Sequence, residues 1–176
     1  HLKYAELIYD WYQKGYSVYS MDHRGMGFSS RLTANPQQVH VEQFSDYVDD
    51  LRVFFERVVL SKKHSPLYVV AHSMGGLVTA HYLQRYPAEV HAAVFSCPLF
   101  KLNTGSIPEK IAYRLVKSAV KKGKGKDYAL TQGDTTFEEA SNFETQKLTH
   151  SQDRWNEVIQ NWKTFPVLLQ GGSTNA

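Results

Sequence analysis

Apolar residues recur along this chain at two alternating periods, and the alternation sets the expected fold class. In residues 3–14, Tyr4, Leu7, Ile8 and Trp11 stand at helical spacing, and Gly15 follows as a helix stop. Residues 16–21 (Tyr-Ser-Val-Tyr-Ser-Met) then read as a short strand that runs into the turn-rich Asp22-His23-Arg24-Gly25-Met26-Gly27. Residues 41–60 give the clearest helix. There Phe44, Val48, Leu51, Phe55, Val58 and Val59 share one stripe, while Asp46, Asp49, Asp50, Arg52 and Glu56 lie away from it. Residues 67–71 (Leu-Tyr-Val-Val-Ala) are apolar on successive positions, as in a strand buried on both faces of a parallel sheet. His72-Ser73-Met74-Gly75-Gly76 makes a turn, residues 74–85 return to helix, and Pro87 stops it. Residues 92–96 are another short apolar run. Residues 99–162 change character: lysine-rich, then polar, with helical patches and no strong strand. Residues 165–170 (Phe-Pro-Val-Leu-Leu-Gln) read as a last strand.

Strand and helix alternating over residues 1–96 predict an α/β fold, with a mostly parallel sheet flanked by helices. Residues 99–162 then form a helical insertion. In such sheets ligands sit at the carboxyl ends of the strands, where both glycine-rich turns fall. The 176 residues suit one domain, and 42% apolar content is enough to bury a core. No run approaches the roughly 18 apolar residues of a membrane-spanning helix, and the amino terminus from His1 carries no apolar signal core. The single cysteine excludes an internal disulfide and a multi-cysteine metal site. Cys97 follows an apolar run and reads as an inert core thiol. The histidines show no metal-ligand spacing, so no metal or cofactor is expected. A net charge of +3 does not by itself imply a nucleic-acid partner.

The chemistry concentrates in Ala71-His72-Ser73-Met74-Gly75. A serine between a buried strand and a helix, with small residues on both sides, is the pattern of a nucleophile elbow. The usual first small residue is glycine. Alanine adds one methyl, which so tight a turn tolerates. The pattern predicts Ser73 in a strained conformation with its hydroxyl above the sheet, and the Met74 N–H as an oxyanion donor at a helix amino terminus. The competing reading makes Ser73 an ordinary helix N-cap. His72, next to Ser73 in sequence, is expected to point elsewhere and serve packing or a polar contact. His23 and Arg24, with Asp22, belong to a rim loop, either reaching substrate or holding the loop in a charged network. Gly25 and Gly27 serve turn geometry, because a phosphate loop would need a third glycine opening a helix.

Three segments, Asp22-His23-Arg24-Gly25-Met26-Gly27-Phe28-Ser29-Ser30-Arg31, Tyr47-Val48-Asp49-Asp50-Leu51 and Ala71-His72-Ser73-Met74-Gly75-Gly76, give the chain a family likeness. It resembles α/β-hydrolases of the monoacylglycerol-lipase branch, and within it the bacterial lysophospholipases. Lys3-Tyr4-Ala5-Glu6-Leu7, Leu83-Gln84-Arg85 and Leu148-Thr149-His150-Ser151 extend the likeness over nearly the whole chain. The resemblance implies Ser73 as nucleophile and Met74 as one oxyanion donor. It implies a core over residues 1–98, a cap over 99–162, and a core strand with the start of the acid loop over 163–176. In that loop Gly171-Gly172-Ser173-Thr174-Asn175-Ala176 has no carboxylate. The resemblance thus implies a chain cut short, with a gap near Trp162-Lys163. The catalytic acid and histidine would lie outside it, and the piece alone would be nearly inactive. His150 with Asp153, His81 and His91 are not expected to substitute.

The implied reaction is hydrolysis of the acyl ester of a lysophospholipid or monoacylglycerol through an acyl-enzyme on Ser73. A non-catalytic lipid-binding module of the same fold, or another esterase or thioesterase chemistry, remains open at this stage. Lys110, Arg114, Lys117, Lys121 and Lys122, beside Ile111, Leu115 and Val120, read either as a solvated basic face or as a peripheral contact with an anionic membrane. Phe100, Tyr113, Tyr128, Phe137 and Phe143 read as an acyl groove or as cap core. The expected location is the cytoplasm or the periphery of the inner membrane.

Overall fold

A computed structural model describes residues 2–102 and 104–175. His1, where the chain opens, Asn103, and Ala176, last residue of the expected acid loop, lie outside the described residues. The chain divides into two compact units, His1–Val41 with Leu115–Ala176, and Glu42–Arg114.

The unit of residues 42–114 carries helix α2 (Ser45–Phe54), strand β1 (Tyr68–His72), helix α3 (Met74–Arg85) and strand β2 (Ala92–Ser96). The two strands pair in parallel, in register from Tyr68 with Ala92 to His72 with Ser96. The hydrophobic stripe of α2 closes on α3. Tyr47, Val48, Phe55, Val59, Val78 and Tyr82 are buried, and the Phe55 and Tyr82 rings lie 4.9 Å apart. Burial of each apolar side chain in this cluster stabilises by about 1.5–3 kcal/mol. The helix expected to run to residue 60 changes pitch at Phe55–Val59, which form a π-turn, and a 3-10 turn follows at Leu60–Lys62. The extra residue per turn rotates the stripe. Phe55 and Val59 stay inside while Val58, expected on the apolar face, is exposed.

A polar node closes this core. The buried Tyr82 donates its hydroxyl to Glu89, which also receives Arg52, and the Arg52 guanidinium lies 4.3 Å over the Tyr86 ring. Burial pushes the Tyr82 phenol up. Burial also raises the Glu89 carboxyl, but its bonds from Tyr82 and Arg52 outweigh that and hold it below the usual carboxylate range.

The expectation that β1 is buried on both faces is not met. Val69 and Ala71 face inward, whereas Tyr68, Val70 and Val94 are exposed. In a ladder of two strands α3 packs on one side, and among the described residues of this unit no other element makes comparable contact with β1. Cys97, expected in the core, is exposed just past β2 for the same reason.

The other unit begins with a 3-10 turn (Leu2–Tyr4) and helix α1 (Ala5–Gln13), with Gly15 at φ +86° as its left-handed stop. Helix α4 (Glu109–Lys121) spans the boundary between the units, and α5 (Phe137–Ser141) and α6 (Gln152–Thr164) follow. A capping box of Thr136 and Glu139 starts α5, and the Ser151 hydroxyl caps α6. Trp155 of α6 is buried. Its indole N–H donates to Ser141 O at 2.9 Å, and its ring meets Trp162 edge-to-face. Arg154 binds Glu6 of α1 through two bonds of 2.8 Å.

Two expected strands do not form. Residues 16–21 enter no ladder, and residues 165–170 become a 3-10 turn at Pro166–Leu168, led by the proline. Strand pairing needs a neighbour with free edge groups, which periodicity alone does not supply. The chain end is held another way. Residues 171–175 lie between residues 37–40 and 127–133, with Val39 N–H on Gly172 O, Thr174 N–H on Val39 O and Ala129 N–H on Ser173 O. The buried His40 and Thr174 meet side chain to side chain at 2.7 Å.

Candidate active site

Ser73 ends β1 and opens α3. Its backbone sits at φ +52°, ψ −125°, a region that residues with a Cβ rarely enter. Such a conformation costs of order 1–3 kcal/mol and persists only where the surroundings impose it. The chain reverses here within one residue, from the last strand position at His72 to the first helical position at Met74.

The Ser73 hydroxyl makes no capping bond to α3. An N-cap serine would adopt an extended backbone and accept from the second or third helical amide, and Ser73 does neither. The capping alternative therefore fails on both geometry and bonding.

Neighbouring backbone fixes the turn. Ser73 N–H donates to Ser96 O at 3.1 Å. Its carbonyl accepts from Gly76 N–H at 2.9 Å and from Leu99 N–H at 3.0 Å. Two glycines in the first turn of α3 cost roughly 1 kcal/mol each in helix propensity. Gly76 is required nonetheless, since a Cβ there would sit 2.7 Å from Pro98 Cβ. The first amides of α3, Met74 among them, have no partner inside the helix and carry the positive end of its dipole.

Of the other residues singled out from the sequence, His72 is exposed at the end of β1, paired in register with Ser96. The histidines expected not to serve as base are engaged elsewhere in this unit. His91 Nδ1 accepts from Leu67 N–H at 3.1 Å, and the His81 ring packs 5.7 Å from Phe44. His150 lies two residues before α6, and Asp153 lies in its first turn.

His23 and Arg24 belong to the other unit, in a turn whose order comes from their neighbours. The Asp22 carboxylate accepts from Phe28 N–H at 2.9 Å, straddling Gly27 at φ +53°. A Cβ at Gly27 would lie 2.4 Å from Asp22 Cγ. Arg31 locks the same loop through Gly27 O and Ser29 O at 2.8 Å and Val167 O at 2.9 Å. Sequence reasoning passed over Arg31. Its only signal was its place at the end of the Asp-His-Arg-Gly segment.

A model of the family described as serine aminopeptidase, S33, matches residues 1–175. The chain belongs to this α/β-hydrolase family. It is 35% identical over 175 residues to lysophospholipase L2 of Escherichia coli, which covers 99% of the chain and 50% of that relative. It is 33% identical over 174 residues to the probable lysophospholipase L2 of Haemophilus influenzae, covering 98% of the chain and 53% of the relative. A monoacylglycerol lipase of Mycolicibacterium smegmatis is 35% identical over 98 residues, 56% of the chain and 33% of its own length. The chain thus spans about half the length of the lysophospholipases it matches.

Within this α/β-hydrolase, a concavity of about 700 Å³ between α1 and α6 is lined by Ala5, Glu6, Tyr9, Ser151, Asp153, Arg154 and Glu157. That set holds the Glu6–Arg154 ion pair, and the hydroxyl of its serine, Ser151, already caps α6. Ser73, by contrast, stands uncapped at the strand-to-helix reversal.

Proposed function

We propose that the whole protein is a serine ester hydrolase that cleaves the acyl ester of a lysophospholipid or monoacylglycerol. The observation that carries this reading is the left-handed, uncapped Ser73 at the strand-to-helix reversal. Ser73 Oγ attacks the ester carbonyl carbon while its proton passes to a base. The Met74 N–H, at the amino end of α3, stabilises the oxyanion. Collapse of the tetrahedral intermediate expels the glycerol-linked alcohol and leaves an acyl-enzyme, which water hydrolyses to the fatty acid. A serine hydroxyl needs a base to be an effective nucleophile, and His81 and His91 are committed to other contacts. We place the histidine and its carboxylate in residues of the whole protein outside this chain, a reading supported by the chain's matching about half the length of the lysophospholipases. Names of the relatives supply the substrate class, since fold alone does not.

The reading extends to how a lipid ester is met. On α4, Lys110, Arg114, Lys117 and Lys121 follow one another at spacings of four, three and four, which places them on one face. Ile111, Leu115 and Val120 are exposed off that face. No helix among the described residues is long and apolar enough to cross a membrane. A basic face flanked by exposed apolar side chains, Ile111 and Leu115 on one side and Val120 on the other, suits an anionic lipid surface, each cation near it contributing about 1 kcal/mol.

The test is fatty-acid release from a lysophospholipid and a monoacylglycerol by the full-length protein and its Ser73→Ala variant. Release abolished in the variant supports the reading. Equal release by both proteins, or lipid binding without any turnover, overturns it, and the second outcome would identify a lipid-binding module on the same fold.

A further inference from the structure

We propose that residues 96–99 form a strap that holds Ser73 in its strained conformation, and that Pro98 is the positioning residue for the nucleophile. The proposal rests on the reading of Ser73 as that nucleophile.

One four-residue stretch grips the Ser73 backbone from both sides. Ser96 O receives the Ser73 N–H, and Leu99 N–H donates to the Ser73 carbonyl. Between these two bonds the strap must turn back sharply, and it does so at Cys97, whose φ is +43°. Cys97 follows the last paired position of β2 just as Ser73 follows that of β1. Both parallel strands thus end on a left-handed residue that is not glycine, side by side in the register. Two adjacent unfavourable conformations persist only where the surrounding bonds over-determine them.

Pro98 ties the strap to α3. Its ring fixes φ and removes an N–H, so the peptide between Cys97 and Leu99 has few alternatives. A methyl group on Gly76 would lie 2.7 Å from Pro98 Cβ and 3.0 Å from its Cα. Helix and strap are therefore packed backbone against proline, and the Ser73 carbonyl accepts one bond from each. Moving the strap tilts the Ser73 peptide and swings Oγ. A displacement near 1 Å in an attacking atom costs about 100-fold in rate. Pro98 acts through Ser73 and not on the substrate, so substrate binding does not depend on it.

The experiment uses the full-length protein. For wild type, Pro98→Gly, Pro98→Ala, Gly76→Ala and the Gly76→Ala/Pro98→Gly pair, it measures the second-order rate of fluorophosphonate labelling at Ser73. It also measures kcat and KM on a monoacyl ester, and the melting temperature. We expect Pro98→Gly to slow labelling and lower kcat by about 10–100-fold with KM changed less than about threefold. Pro98→Ala, which keeps Cβ against Gly76, loses less. Gly76→Ala also slows labelling, and adding Pro98→Gly to it speeds labelling again, because the offending Cβ is gone. That rescue is a coupling between neighbours that general destabilisation does not produce. If Gly76→Ala does not fold, the Pro98→Gly and Pro98→Ala pair decides. Pro98→Gly labelling at the wild-type rate, or raising KM as much as it lowers kcat, overturns the strap while leaving Ser73 as nucleophile. Wild-type protein that labels no faster than Ser73→Ala overturns both.

Discussion

Replacing Ser73 by glycine and by alanine separates backbone strain from loss of the hydroxyl. Both variants remove Oγ, and neither loses a helix-capping bond, because Ser73 makes none. They differ in what they do at φ +52°, ψ −125°. Alanine keeps the Cβ and therefore keeps the strain, of order 1–3 kcal/mol. Glycine enters this region freely, but its extra freedom in the unfolded chain costs about 0.5–1 kcal/mol. The difference leaves Ser73→Gly more stable than Ser73→Ala by about 1 kcal/mol. For a full-length protein about twice the length of this chain that is a melting-temperature gap of about 1–2 °C. The assay is paired thermal or urea unfolding of the two full-length variants, with equal denaturant slopes to show that both compare the same transition. At an ordinary helical or extended position glycine would be the less stable of the two. An alanine variant as stable as the glycine variant, or more so, would refute the claim that Ser73 is held in a costly conformation.

Three further outcomes follow from other parts of the molecule. Gly27→Ala drives a Cβ to 2.4 Å from Asp22 Cγ at a left-handed position, and should break the Asp22–Phe28 bond and lower stability by about 1–3 kcal/mol in urea unfolding. Glu89→Gln keeps the shape of the node with Tyr82 and Arg52 but removes its charge, and should destabilise at neutral pH by about 1–3 kcal/mol. Because the Glu89 carboxyl is held below its ordinary 4.5, its contribution is present above that pH and is lost as the pH falls through the depressed value. The gap between wild type and variant should therefore narrow below pH 4.5, as read from unfolding curves across pH. Reversing Lys110, Arg114 and Lys121 to glutamate should abolish co-sedimentation with phosphatidylglycerol vesicles and leave any weak binding to neutral vesicles unchanged. Wild-type binding should weaken with added salt.

Elements with local punctuation were legible from the sequence, and elements that depend on distant partners were not. Helix α3 and strand β2 fall at the expected residues, because Gly75-Gly76, Pro87 and the apolar run at 92–96 mark them within a few positions. The strands expected at 16–21 and 165–170 carried the right residue types. Their pairing depends on edges the sequence cannot locate, and the second instead follows Pro166 into a 3-10 turn. The pitch change at Phe55 was invisible to a 3.6-residue pattern that assumed a constant turn. The sharp backbone reversal at Ser73 was readable because such a turn needs small neighbours at fixed spacing. The contacts of Pro98 and Leu99 with this turn were not, since they run through the backbone that follows a parallel neighbour. Cys97 was misplaced for a related reason: an apolar run implies burial only where the sheet continues past it.

The measurement that bears most directly on the account is the position of a covalent adduct. Full-length protein treated with a fluorophosphonate and digested should carry one phosphonyl group on the peptide containing Ala71-His72-Ser73-Met74-Gly75, with fragment masses placing it on Ser73. An adduct on a different serine, or none while esterase activity is intact, would contradict the assignment of Ser73 as the nucleophile.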